Sequence, residues 1–127
     1  MSRGRDQEVT KALALALLCW TISATPIRTI DGDTAVMSGA VWPDLTATMH
    51  VRVLGVDTPE LRGATLEDAK KAKAFTEAWL GVGPVTLTIG CTGQPARDSF
   101  GRVLAVVTRD GKNLADDLIA AGLGVKR

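Results

Sequence analysis

A small closed β-barrel of about five strands with helices packed on it is the fold class this sequence predicts, and three observations predict it. Short β-branched or alternating runs recur along the chain, and two segments carry helical spacing. Thirteen glycines in 127 residues supply many tight turns. One domain is expected at this length, and 46% hydrophobic with 23% charged residues is enough apolar side chain for one core.

The N-terminus reads as an export signal. Arg3, Arg5 and Lys11 precede an apolar run at 12–20, and small residues follow at Thr21, Ser23 and Ala24. The expected division is therefore a signal peptide over 1–24 and a folded domain over 25–127. Asp6 and Glu8 dilute the basic start, which keeps a retained apolar helix as the alternative. The run is too short to span a bilayer, which takes ~20 apolar residues. Leu18 before Cys19 makes a poor lipoprotein signal. The protein is thus expected to be secreted or periplasmic, or cytoplasmic if the segment is retained.

Residues 27–30 and 34–37 read as short strands around the Asp31-Gly32 turn. Residues 38–45, with Gly39, Pro43 and Asp44, read as a loop in which Trp42 covers the barrel. From 46 to 56 the chain alternates, with Val51 and Val53 on one face and His50 and Arg52 on the other. Pro59 ends that strand, so 57–63 is a loop. Thr65 and Asp68 have the spacing of a helix start, and a helix is expected over 66–80 with Ala72, Phe75 and Trp79 on its core stripe. Strands follow at 85–89 and 102–108, separated by a polar loop. Asp110-Gly111 turns the chain, Asn113 caps a last helix and Gly122 closes it. The order fits a five-stranded OB-fold with packed helices, an α+β barrel.

Charge and cysteine content exclude little. Removing residues 1–24 takes three basic and two acidic residues from totals of 15 and 14, leaving a net charge near zero. Nucleic-acid binding through general positive charge is therefore unsupported, and local groups must carry it. With Cys19 removed Cys91 would have no disulfide partner and would be a half-buried strand residue. No Cys or His cluster exists for structural zinc.

The chemistry lies in three strings: Ile30-Asp31-Gly32-Asp33-Thr34, Val56-Asp57-Thr58-Pro59-Glu60 and Phe100-Gly101-Arg102. Asp33, Asp57 and the Thr58 carbonyl are hard oxygen donors for a cation such as Ca²⁺. Asp31 reads as a turn residue beside them. Glu60 lies where a carboxylate can take a proton from water or orient it. Arg52, five residues before Asp57, and Arg102 can clamp a phosphate through paired hydrogen bonds. Any one of these alone would be an ordinary surface residue. Combined, they suit metal-assisted hydrolysis of a phosphodiester. His50 and the Lys70, Lys71 and Lys73 cluster read as solvated surface.

At these residues the sequence resembles the staphylococcal nuclease-like, or thermonuclease, family. The three strings, Arg52, Ala74-Phe75-Thr76, Asp98-Ser99 ahead of Phe100, Asp110-Gly111-Lys112 and Ala121-Gly122-Leu123 occur in the family's order. The resemblance implies an OB-fold endonuclease that hydrolyses DNA and RNA, preferably single-stranded, with calcium and little sequence preference. It implies 3′-phosphorylated products, metal ligation by Asp33, Asp57 and Thr58, water activation by Glu60, and phosphate binding by Arg52 and Arg102. A monomer is expected. Two departures stand out. The family's further C-terminal helix is missing before Arg127, and no tyrosine is present to stack a base. These leave a noncatalytic nucleic-acid-binding OB module or a truncated nuclease remnant as alternatives.

Overall fold

Three long strands build the first half of the barrel as an antiparallel meander: β1 (Trp20–Asp31), β2 (Thr34–Trp42) and β3 (Leu45–Val53). The computed structural model describes residues 19–59, 66–91 and 93–127. Short β4 (Val56–Asp57) leads towards helix α1 (Leu66–Leu80), after which come β5 (Val85–Ile89) and β6 (Val103–Arg109). The chain finishes with β7 (Lys112–Asn113), α2 (Leu114–Ala120) and β8 (Val125–Lys126).

The principal strands run β3-β2-β1-β5-β6, and a parallel pairing of β3 with β6 closes them into a barrel. That closure spans Val51 opposite Val103 through Val53 opposite Ala105. A closed five-strand barrel with two helices is the OB-type architecture expected from the sequence. Inside it Met37, Val51, Val53, Leu87 and Val107 are fully buried. Period-two alternation puts them there: in β6, positions 103, 105 and 107 are buried while 104 and 106 are only partly so.

Helix α1 has the bounds its spacing predicts, and it buries Ala69, Ala72, Thr76, Trp79 and Leu80. Phe75 of the expected stripe is only partly buried. Trp79 Nε1 donates to Asp117 Oδ2 at 2.8 Å, and the Arg109 guanidinium lies 4.1 Å from the indole centroid. One indole therefore ties α1 to α2 and β6. Asn113 caps α2 as expected, its Oδ1 accepting from the N–H groups of Ala115 and Asp116.

Three expectations need correction. Residues 38–45 are mostly strand: β2 runs on to Trp42, and Pro43-Asp44 make a tight turn with Asp44 at φ 63°. Gly39 misleads because it marks close packing; a Cβ there would come within 2.6 Å of Met49 Cε. Trp42 does not cover the barrel; it is 74% exposed. Cys91 lies just beyond β5 and is joined by a disulfide to Cys19. In addition, β1 crosses the boundary expected at residue 25, for residues 20–24 pair with 85–89 of β5. The rest of the expected signal segment, 1–18, lies outside the described residues, as does Thr65. Among the described residues no helix is long and apolar enough to cross a membrane.

The disulfide closes a loop across 72 positions of sequence. Loss of the bond, by Cys91→Ser or by reductant, should cost about 2–4 kcal/mol of stability. Urea denaturation would read this as a lower midpoint. Equal midpoints for oxidised and reduced protein would show that the bond does not hold the start of β1.

Candidate functional site

Strand register brings the three strings together. Thr34 lies opposite Arg52 in the β2–β3 pair, and Arg52 lies opposite Leu104 in the β3–β6 pair. Asp33, Arg52 and Arg102 thus share one end of the barrel although they are far apart in sequence.

The first string folds as a turn under α1. Asp33 N donates to Asp31 Oδ1 at 3.2 Å, and Thr76 Oγ1 of the helix donates to Gly32 O at 2.7 Å. Only glycine fits at 32: a Cβ there would lie 2.7 Å from Thr58 Oγ1 and 2.8 Å from Ala72 Cβ. The close approach seats Thr58 against the turn, where its N–H donates to Asp33 Oδ2 at 3.1 Å. Thr58 Oγ1 is buried and, among the described residues, has no hydrogen-bond partner. Burial raises the Asp31 pKa from 3.8 to about 6, the neighbouring Asp33 carboxyl adding to the effect.

Arg52 is the centre of the cluster and not the solvated residue of a non-core face, being only 5% exposed. Its Nη1 donates to Val53 O at 2.6 Å and Val56 O at 2.9 Å. Its Nη2 lies 2.5 Å from Asp57 Oδ1 and 3.4 Å from Asp33 Oδ2. Among the described residues four of its five N–H groups therefore face protein acceptors, and Nε has none.

Arg102 is held differently. The segment from Asp98 to Arg102 is a tight turn with Gly101 at φ 80°. Asp98 Oδ1 accepts from the N–H groups of Phe100 at 3.0 Å and Arg102 at 2.9 Å, while Asp98 Oδ2 takes Arg102 Nε at 2.7 Å. Desolvation would raise the Asp98 pKa, but these hydrogen bonds outweigh it and hold the carboxyl below its usual 3.8. Arg102 Nη1 points to Thr34 Oγ1 at 3.4 Å, linking the first and third strings. Beside the two arginines opens a cleft of about 550 Å³, whose walls include Phe100, Asn113 and Arg127.

Of the residues singled out from sequence, the structure gathers Asp33, Arg52, Asp57 and Thr58 directly, with Arg102 one contact away through Thr34. Glu60 lies outside the described residues. His50 is on the surface as expected. Two residues were missed. Asp98 could have been found from its four-residue spacing to Arg102; Arg127 carries no local signal, because only β8 brings it to Asp57. Among the described residues no group of three or more Asp, Glu, His or Cys gathers in metal-binding fashion. The Asp33 and Asp57 carboxylates on either side of Arg52, with the Thr58 carbonyl expected from the sequence as a third donor, nevertheless form an all-oxygen donor set. That chemistry fits a hard cation completed by water.

The barrel and its cleft define a nuclease-like OB domain. A family model described as staphylococcal nuclease homologue matches residues 50–127, and the chain belongs to that family. The match takes in Arg52, Asp57, Thr58, Glu60 and Arg102 and begins after Asp33. No curated protein matches the chain.

Two expectations follow. Arg52→Ala should cost about 3 kcal/mol, since it strands a buried carboxylate, whereas Arg102→Ala, at a partly exposed pair, should cost about 1 kcal/mol or less. Thermal melts of the two variants compare them directly; equal losses would contradict the structural role given to Arg52. For Asp31 the folded pKa exceeds the unfolded one, so the folded state binds its proton more tightly. Stability should therefore fall as pH rises from about 4 to about 6 in chelator, and Asp31→Asn should remove that slope. An identical slope in the variant would assign it to another group.

Proposed function

We propose that the protein is a secreted or periplasmic, calcium-dependent nuclease that hydrolyses DNA and RNA phosphodiesters with little sequence preference. The observation that carries this reading is the cluster in which the Asp33 and Asp57 carboxylates surround Arg52, a guanidinium that with Arg102 lines one cleft. Family membership supports nucleic acid as the substrate class, and single strands fit an open cleft. Localisation outside the cytoplasm is supported by the Cys19–Cys91 disulfide. If the N-terminal segment is removed, the disulfide and β1 favour a mature chain that retains Cys19.

In the proposed mechanism Asp33, Asp57 and the Thr58 carbonyl would hold calcium, which when bound would offset charge on the phosphate oxygens. Arg102 binds the scissile phosphate through N–H groups that Asp98 and Thr34 leave over. Arg52 contributes Nε from a guanidinium whose other donors fix it in place, so little reorganisation is needed. Glu60 receives the proton of the attacking water. The water oxygen forms the new bond to phosphorus as the bond to the 5′ oxygen breaks, and that oxygen takes a proton from solvent, giving a 3′-phosphorylated product and a 5′-hydroxyl.

Single-stranded DNA should be cut in calcium and left intact in excess chelator. Glu60→Gln and Arg102→Ala should each slow cutting by ~10²–10³, the typical loss for one well-placed charged group. A folded wild-type protein that never cuts would defeat the proposal in favour of a binding module. Near-wild-type rates in both variants would defeat the mechanism.

A further inference from the structure

The cleft contains a third guanidinium, held unlike the other two. Strand β8 brings it there: Val56 pairs with Lys126 and Asp57 with Val125, and Arg127 N donates to Gly55 O at 3.3 Å. Gly124 permits the approach, for a Cβ there would come within 2.5 Å of Val56 Cγ2. Arg127 Nη1 then donates to Asp57 Oδ1 at 3.1 Å, the same oxygen that accepts from Arg52 Nη2. Arg52 is locked by two carbonyls. Among the described residues Arg127 has no such lock; its side chain is 66% exposed and that of Asp57 47%. Exposed pairs of this kind are weak and easily exchanged.

Resting on the reading that Asp57 holds a divalent cation, we infer that Arg127 is a metal-gated phosphate-binding residue. It sits on Asp57 and transfers to a substrate phosphate once a cation takes that carboxylate. A divalent cation and a guanidinium compete for one oxygen and repel each other across it. The displaced side chain stays in the cleft it shares with Arg102, where an anionic phosphate is the available partner. Cation and substrate binding then favour each other by the same factor.

Calorimetric calcium titration of the full chain, wild type against Arg127→Gln, reads the first half. Fluorescence anisotropy with a short single-stranded DNA, in a Glu60→Gln background with and without calcium, reads the second. Arg127→Gln should tighten calcium binding roughly two- to fivefold without DNA. It should weaken DNA binding by a similar factor in calcium and leave calcium-free binding unchanged, while Arg127→Lys should restore part of both effects. Unchanged or weaker calcium binding in Arg127→Gln overturns the gating. An equal loss of DNA affinity with and without calcium overturns it too, reducing Arg127 to a constant surface contact. Wild-type protein that binds no calcium refutes the metal reading itself, and the inference with it.

Discussion

The guanidinium of Arg52 joins the end of β3 to everything placed around it. Two of its N–H groups hold the carbonyls of Val53 and Val56, fixing how the chain leaves the barrel after β3. Others face Asp57 and Asp33, so the same group sets the separation of the two acidic strings. A charge this buried is tolerated only when paired and hydrogen-bonded, and here nearly every donor is engaged. Geometry at the candidate site is thus a by-product of satisfying one buried cation.

Close backbone approach supplies the rest. Gly32 lets Ala72 and Thr58 press on the first turn, and Thr76 seals that contact from α1. Gly124 does the same for β8 against β4. The helix thereby becomes part of the site without offering a side chain to substrate. Two levels of rigidity result: Asp33 and Arg52 belong to the packed interior, while Arg102, Asp57 and Arg127 sit at its wet margin.

Local patterns were legible in the sequence, and long-range ones were not. Helix α1 and β5 have the bounds that spacing and glycine punctuation predicted, because those signals are carried within one segment. Alternation sets Arg52 on the face opposite Val51 and Val53, yet its burial depends on carbonyls and carboxylates that only the folded chain assembles. Gly39 resembled a loop signal because a glycine that admits a neighbour and a glycine that turns the chain look alike in one dimension. Trp42 was placed over the core on the general habit of tryptophan, but the hairpin end carries it outward. The sequence does not predict the disulfide because Cys19 lies within what reads as a removed leader, nor the place of Arg127, whose partner is 70 positions away.

The covalent link between Cys19 and Cys91 turns the first part of the domain into a ring. Enclosed are β1 to β5 and α1, while β6, α2 and β8 hang from it as an open tail. A protease that nicks the chain once inside the ring frees no fragment: the two ends stay joined through sulfur and through the β1–β5 ladder. A nick between Cys91 and Arg102, by contrast, leaves the tail bearing Arg102 and Arg127 with no covalent tie to the ring bearing Arg52, Asp33 and Asp57. Pairing of β6 with β3 and β5 is then among the noncovalent contacts that hold it. Tolerance of a chain break is therefore unequal along the chain, and the vulnerable half is the one that carries Arg102 and Arg127.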